Sequence, residues 1–267
     1  MQRGTFTLGD LRLSTASTGA GRTLLFLHGL CGAADQPAGV FPADVGWRCL
    51  TLECRGHGQS DFGEAAGLSI HQFAADVAAF AASLEGPPPV IGGISMGAAI
   101  ALRLAVTQPR KYCGLILARP AWVDAAAPET LAPHRQIARY IAELGPDEAR
   151  RRFADSASAR ALAQQSPDNL ASLLGFFARQ PIDQTQALLA AIGNDGPGVS
   201  REDIAGLSMP TLVIGTDHDV VHPLAIAREL AGLIPSSRLV EITSKSENAG
   251  LYVAAFRQAL RDFLKEM

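Results

Sequence analysis

Short, unbroken apolar runs alternate along the chain with stretches of helical spacing. Leu24-Leu25-Phe26-Leu27, Trp47 to Leu52, Val90-Ile91-Gly92, Leu115-Ile116-Leu117-Ala118, Thr211-Leu212-Val213-Ile214 and Arg238 to Ile242 have the length and apolarity of strands. Runs of this kind suit strands buried on both faces of a parallel sheet. Thr5 to Thr18 alternates weakly and breaks at Gly9-Asp10, which predicts a β-hairpin. Between the runs, Ile70, Phe73, Val77, Phe80 and Leu84 recur at intervals of three and four, the mark of an amphipathic helix, and Pro87-Pro88-Pro89 stops it. Further helices are expected from Ala98 to Val106, from Pro223 to about Leu233, and through Val253, Phe256, Leu260 and Phe263. Strands alternating with helices predict an α/β fold with a mostly parallel, doubly wound sheet.

From about Ala121 to Asp203 the pattern changes. Alanine, glutamine, arginine and acidic residues dominate, no strand pattern occurs, and Pro128, Pro133, Pro146, Pro167 and Pro181 divide the stretch into short helical pieces. The expected organisation is a core made of residues 1–120 and 204–267, with residues 121–203 inserted as a helical cap.

Composition adds boundaries rather than chemistry. With 48% apolar and 18% charged residues in a chain of 267, a sizeable buried core is expected. A net charge of −3 points to neither nucleic acid nor an anionic membrane as partner. The most membrane-like stretch, Val90 to Val106, is shorter than the roughly 20 apolar residues of a span. It also contains Gly92-Gly93, Ser95 and Arg103, so it reads as a strand, a turn and a core helix. No apolar run of signal-peptide length follows Met1, and Cys31, Cys49, Cys54 and Cys113 form no C-x-x-C pair. Four reduced, mostly buried thiols in a cytoplasmic protein are expected.

The chemistry is concentrated at Gly93-Ile94-Ser95-Met96-Gly97. A predicted strand runs directly into this G-x-S-x-G and a predicted helix leaves it, which is the context that makes the pattern informative. So tight a turn needs small residues two positions either side of the serine. It presents the Ser95 hydroxyl at the carboxyl edge of the sheet and at a helix N-terminus, where free N–H groups favour developing negative charge. Neither G-K-[ST] nor G-x-G-x-x-G is found here, so nucleotide binding is not indicated.

These features resemble the α/β-hydrolase superfamily over nearly the whole chain. His28-Gly29-Leu30-Cys31-Gly32 is similar to its oxyanion loop, Arg55-Gly56-His57-Gly58-Gln59-Ser60 to the turn after the next strand, and Pro210 to Gly215 with Asp219 and Pro223 to the strand and loop that carry its acid. Cap-bearing esterases, lactonases and carbon–carbon bond hydrolases are the most similar members. The resemblance implies Ser95 as nucleophile and the backbone N–H groups of Leu30 and Met96 as oxyanion hole, with His28 and His57 bracing loops and Cys31 near the pocket entrance. Asp219 stands four residues before Pro223, where the family's acid is expected; Asp217 does not, and Asp124 is the alternative position used by some members.

The departure is the base. The resemblance implies a histidine after the last strand, but Ile242-Thr243-Ser244-Lys245-Ser246-Glu247-Asn248-Ala249-Gly250 contains none, and Glu247 occupies its place. Four readings stay open: Glu247 acts as a base with its pKa raised by burial; Lys245 acts as one after desolvation; His222 or His134 reaches the site; or the triad is degenerate. Read singly, His222 is a helix-start residue, Lys245 and Glu247 are solvated, and His134 and His71 lie on helix surfaces. Two functions follow. One is a serine hydrolase with a non-standard base, acting on a small ester, lactone or related carbonyl compound without metal or organic cofactor. The other is a non-catalytic protein of the same fold that binds a small molecule under its cap.

Overall fold

A computed structural model describes residues 1–267. Eight strands form one sheet: β1 (Gln2–Leu8), β2 (Leu11–Gly19), β3 (Arg22–Leu27), β4 (Trp47–Leu52), β5 (Val90–Ile94), β6 (Gly114–Ala118), β7 (Thr211–Thr216) and β8 (Ser237–Ile242). Their spatial order is β1-β2-β4-β3-β5-β6-β7-β8. The β1–β2 hairpin turns at Gly9-Asp10 and adds to β4 antiparallel, whereas every pair from β4 to β8 is parallel. After β3 the chain moves to one side, to β4, and then to the other, to β5. The carboxyl ends of β3 and β5 therefore flank the crevice where open α/β sheets bind ligands.

The apolar runs separate by alternation onto two faces. Leu25, Leu27, Ile91, Leu115, Leu117 and Val213 pack with α2 (Ile70–Ala82), α3 (Met96–Thr107), α9 (Arg201–Ala205) and α10 (Leu224–Leu233). Leu24, Phe26, Val90, Ile116, Leu212 and Ile214 face α11 (Ala249–Glu266), which contributes Phe256, Leu260 and Phe263. A short helix, α1 (Asp35–Val40), follows the β3 loop and was not legible in the sequence, having only six residues and Pro37 among them. Val90 to Val106 is indeed strand, turn and helix, and no helix is long and apolar enough to cross a membrane.

No strand lies between β6 and β7. The segment folds as α4 (Ala132–Leu144), α5 (Pro146–Ala154), α6 (Ala157–Gln165), α7 (Pro167–Gly175) and α8 (Ile182–Gly193), with proline at the start of α4, α5 and α7. These helices bury their own cluster around Ile137, Ile141, Phe153, Leu162, Phe177 and Leu189, and the cluster touches Leu30 and Cys31 at the end of β3. α8 also sends Leu188 and Ile192 into the main core.

Candidate active site

Ser95 ends β5 and precedes α3 with φ 56° and ψ −113°. A conformation of this kind costs a non-glycine residue about 1–3 kcal/mol and persists only where the surroundings enforce it. Here the two glycines do so. A Cβ on Gly93 would lie 2.3 Å from the Gly97 carbonyl carbon, and one on Gly97 would lie 2.6 Å from the Leu27 oxygen. β5, α3 and the end of β3 can approach this closely only with glycine at both positions.

The loop after β3 curls beside the serine. Its Gly29 N–H donates to Gln36 Oε1 of α1 at 2.6 Å. His28 contacts the Gly29 carbonyl through Nδ1 (2.8 Å) and accepts the Cys54 N–H at Nε2 (3.0 Å). Burial first of all keeps this ring's pKa below the ordinary histidine value. His57, fully buried, bonds the Arg55 carbonyl. Both histidines therefore brace loops, as expected. The Leu30 N–H donates to no other group of the protein, and the Met96 N–H, at the first position of α3, has no acceptor within its own helix, so both are available to an oxyanion. Cys31 lines the same cavity, but burial pushes its thiol up to about 12, so it is not an activated nucleophile.

Of the candidate bases named from the sequence, His222 reaches Ser95. His222 Nε2 lies 2.8 Å from Ser95 Oγ, and His222 Nδ1 lies 3.0 Å from Asp219 Oδ1. Acid and imidazole thus come from one loop, three residues apart, between β7 and α10. Asp219 Oδ1 also accepts the His222 backbone N–H at 3.0 Å, which locks the turn. Oδ2 takes a two-pronged contact from Arg119, at 2.7 Å from Nε and 2.6 Å from Nη2. Burial pushes the Asp219 carboxyl up, but the His222 and Arg119 charges outweigh it and hold the group well below the carboxylate range.

Three sequence readings are corrected here. Glu247 is exposed and faces His218 at 3.5 Å, and Lys245 is exposed; neither lines the cavity. His134 is not a surface residue: it is 6% exposed and lines the cavity with Ser95 and His222. His222 does precede a helix, yet its ring reaches back to the serine. Asp124 pairs with Arg201 at 3.6 Å, and Asp217 is exposed, so Asp219 alone of the three aspartates meets the imidazole. His71 is exposed on α2, as expected.

Other members of the site were not singled out in the sequence. Arg119, directly after the apolar run of β6, is the clearest, since a cation ending a buried strand needs a partner. Helix α7 and the residue before it pin the loop between β7 and α10: Ser166 Oγ donates to the His218 carbonyl at 2.5 Å, and the Val221 N–H donates to Asn169 Oδ1 at 3.0 Å. Asp168 of α7 stands 4.0 Å from Arg119 and accepts the Ser246 hydroxyl.

The cavity above Ser95 measures about 230 Å³. The sheet edge supplies Gly29, Leu30, Cys31 and Ile94, and the insertion supplies His134, Asn169, Ser172, Leu173 and Phe176. A larger hollow of about 330 Å³, between α2 and Arg110-Lys111-Tyr112, holds none of these groups. The one trio with ligand-like spacing, Asp217, His218 and Glu247, is fully at the surface.

A mostly parallel eight-stranded sheet with a serine elbow between β5 and α3 defines the class, and the sequence model of the alpha/beta hydrolase fold matches residues 22–247. The chain belongs to the α/β-hydrolase fold family. Among its relatives is a Mycobacterium tuberculosis protein provisionally named non-heme bromoperoxidase BpoC, 29% identical over 87% of this chain and 89% of its own length. Similar solved structures include a thermophilic esterase from Thermogutta terrifontis, at 23% identity and TM-score 0.72, covering 98% of this chain and 99% of that one. The enol-lactonase from Burkholderia xenovorans LB400 is similar too, at 23% identity and TM-score 0.71, with the same coverage.

Proposed function

We propose that the protein is a serine hydrolase of small esters, lactones or related carbonyl compounds, with Ser95, His222 and Asp219 as its triad. The observation that carries this reading is the 2.8 Å contact between His222 Nε2 and Ser95 Oγ, with Asp219 on the far side of the same ring. A serine hydroxyl attacks a carbonyl only when a base takes its proton. His222 Nε2 takes it as the Oγ–carbon bond forms, and the Leu30 and Met96 N–H groups hold the oxygen that becomes negative. Asp219 holds the ring through Nδ1 and stabilises the imidazolium. His222 then gives the proton to the leaving oxygen, and a water repeats the sequence to release the acid. Asp219 acts without itself being protonated, in keeping with its depressed pKa.

The helical segment at residues 121–203 serves as a cap that walls the cavity and limits water there. The esterase and lactonase among the similar structures support carbonyl hydrolysis as the reaction class. The case for a non-catalytic binder rested on a missing histidine, and an imidazole at hydrogen-bond distance from Ser95 removes that reason.

The test is labelling with a fluorophosphonate followed by turnover of p-nitrophenyl acetate and butyrate. Wild type should label at Ser95 and hydrolyse at least one ester, and Ser95→Ala should do neither. A folded wild type that neither labels nor turns over either ester ends the hydrolase reading.

A further inference from the structure

The triad accounts for Ser95, His222, Asp219 and Arg119, but two buried polar groups of the same cavity are left over. His134 of α4 is 6% exposed and Asn169 of α7 is 3% exposed, and both line the cavity with Ser95. Nδ1 of the His134 ring is shielded from solvent and has no hydrogen-bond partner in the protein, which leaves Nε2 as the ring nitrogen a ligand in the cavity could meet. The ring leans on Phe176, centroids 5.7 Å apart. Asn169 spends its carbonyl oxygen on the Val221 N–H, which fixes the amide's orientation and leaves its NH₂ with no acceptor. Buried polar groups are nearly always paired, because an unpaired one forfeits its hydration. The His134 ring and the Asn169 NH₂ both border the cavity beside Ser95 with bonding capacity that the protein does not use, and they point to a ligand that takes it up.

The chemistry of that ligand is constrained. Burial above all, then the His222 and Arg135 charges, hold the His134 pKa down to about 3, so the ring is neutral, with one donor and one acceptor. The NH₂ of Asn169 is a donor. Arg119 is the single charged side chain lining the cavity, and Asp219 already occupies its Nε and Nη2. An anionic substituent would therefore meet a guanidinium whose charge Asp219 already balances. At about 230 Å³ the space lies below the usual range of ligand pockets, roughly 300–1,000 Å³, which limits the substrate's size.

We propose that His134 and Asn169 form a specificity subsite for an uncharged small ester or lactone with a hydrogen-bonding oxygen, such as a hydroxyl, near the scissile carbonyl. The proposal rests on the hydrolase reading given above. A site built to hydrogen-bond a substrate group discriminates strongly against the analogue that lacks it, because its own groups are then left unpaired.

The test is a set of matched pairs followed by pH-stat. Methyl butanoate is compared with methyl 2-hydroxy- and 3-hydroxybutanoate, which vary the acyl side, and ethyl acetate with 2-hydroxyethyl acetate, which varies the alcohol side. The expected result is that kcat/KM favours at least one hydroxylated member by about tenfold or more. His134→Leu should move that ratio toward one, and His134→Gln, which restores a donor and an acceptor, should recover part of it. Asn169→Asp keeps the oxygen that accepts the Val221 N–H and loses the donor, and should also lower the ratio. Equal kcat/KM within every pair overturns the proposal, as does an equal fall for both members of a pair in His134→Leu, or faster turnover of monomethyl succinate than of methyl butanoate. If His134→Leu does not fold, the wild-type ratios and the His134→Gln comparison decide. Turnover of p-nitrophenyl butyrate without any hydroxyl preference sinks only the subsite. No turnover and no Ser95 labelling sinks the hydrolase reading itself.

Discussion

At the scale of single residues, the site turns on a contact between positions 127 apart in sequence, Ser95 and His222. Replacing His222 by alanine removes the proposed base and should lower kcat on p-nitrophenyl butyrate by roughly 10⁴ to 10⁶, the range seen when triad members are lost. Glu247→Ala and Lys245→Ala, both at exposed positions, should stay within about twofold of wild type in the same assay. A large loss at Glu247 with His222→Ala active would reverse the assignment. Arg119 belongs to this scale too. Its guanidinium is 13% exposed and its partner carboxylate 4%. Arg119→Met leaves that carboxylate buried with a single partner. Breaking a buried pair from one side generally costs about 3–5 kcal/mol, so urea denaturation should show a midpoint clearly below wild type.

At the scale of elements, the geometry around Ser95 is held by packed strands and helices. α11 closes one face of the sheet, and Phe256, fully buried, meets Phe26 of β3 with ring centroids 6.4 Å apart. Phe256→Ala should destabilise the fold by about 3–5 kcal/mol through lost burial and a residual cavity, measurable as a lowered denaturation midpoint. The elbow is equally constrained. Gly97→Ala forces a methyl to within 2.6 Å of the Leu27 carbonyl and 2.8 Å of the His28 carbonyl, both backbone atoms that cannot rotate away. The expected outcome is loss of fluorophosphonate labelling at Ser95 even in protein that remains folded by circular dichroism. α7 differs from these, since it and the residue before it grip the loop carrying Asp219 and His222, at His218 and Val221, rather than the sheet.

At the scale of the whole molecule, several buried histidines make stability depend on pH. Burial lowers the pKa of His28, His57 and His134, the last to about 3. The native state keeps these rings neutral, whereas the unfolded chain protonates them near pH 6.5. Between those values the unfolded state binds more protons, so stability is full above about pH 6.5 and falls as pH drops toward 3. Asp219 works in a lower window. Its depressed pKa contributes stability that is present above about 3.9 and lost as the pH falls further. Thermal melts should therefore decline from pH 7.5 to pH 5, and His134→Gln should make that decline shallower. A melting temperature independent of pH over this range contradicts the assignment of neutral, buried rings.

What the chain determined by itself is local. Apolar runs of four to six residues encode strands buried on two faces, three-and-four spacing encodes α2 and α11, and Gly93 and Gly97 encode the elbow, since the steric demand lies within a few bonds of Ser95. Asp219 was singled out only through the family resemblance, by its distance from Pro223. The partner of Ser95 was legible only as one of several candidates, His222 among them. Counting from β8 pointed to Glu247, because a position in sequence says which loop a residue occupies but not where its side chain ends. His222 reaches the hydroxyl because Asp219, three residues earlier, bonds both its backbone and its ring, and because Asn169 and Ser166 fix that loop from a helix some fifty residues away in sequence. His134 likewise reads as a surface residue on α4, but α4 packs against α8 and α5 and places that ring at the cavity. Only the tertiary structure brings such groups together, since their contacts are set by how helices and loops stack, which no local pattern carries.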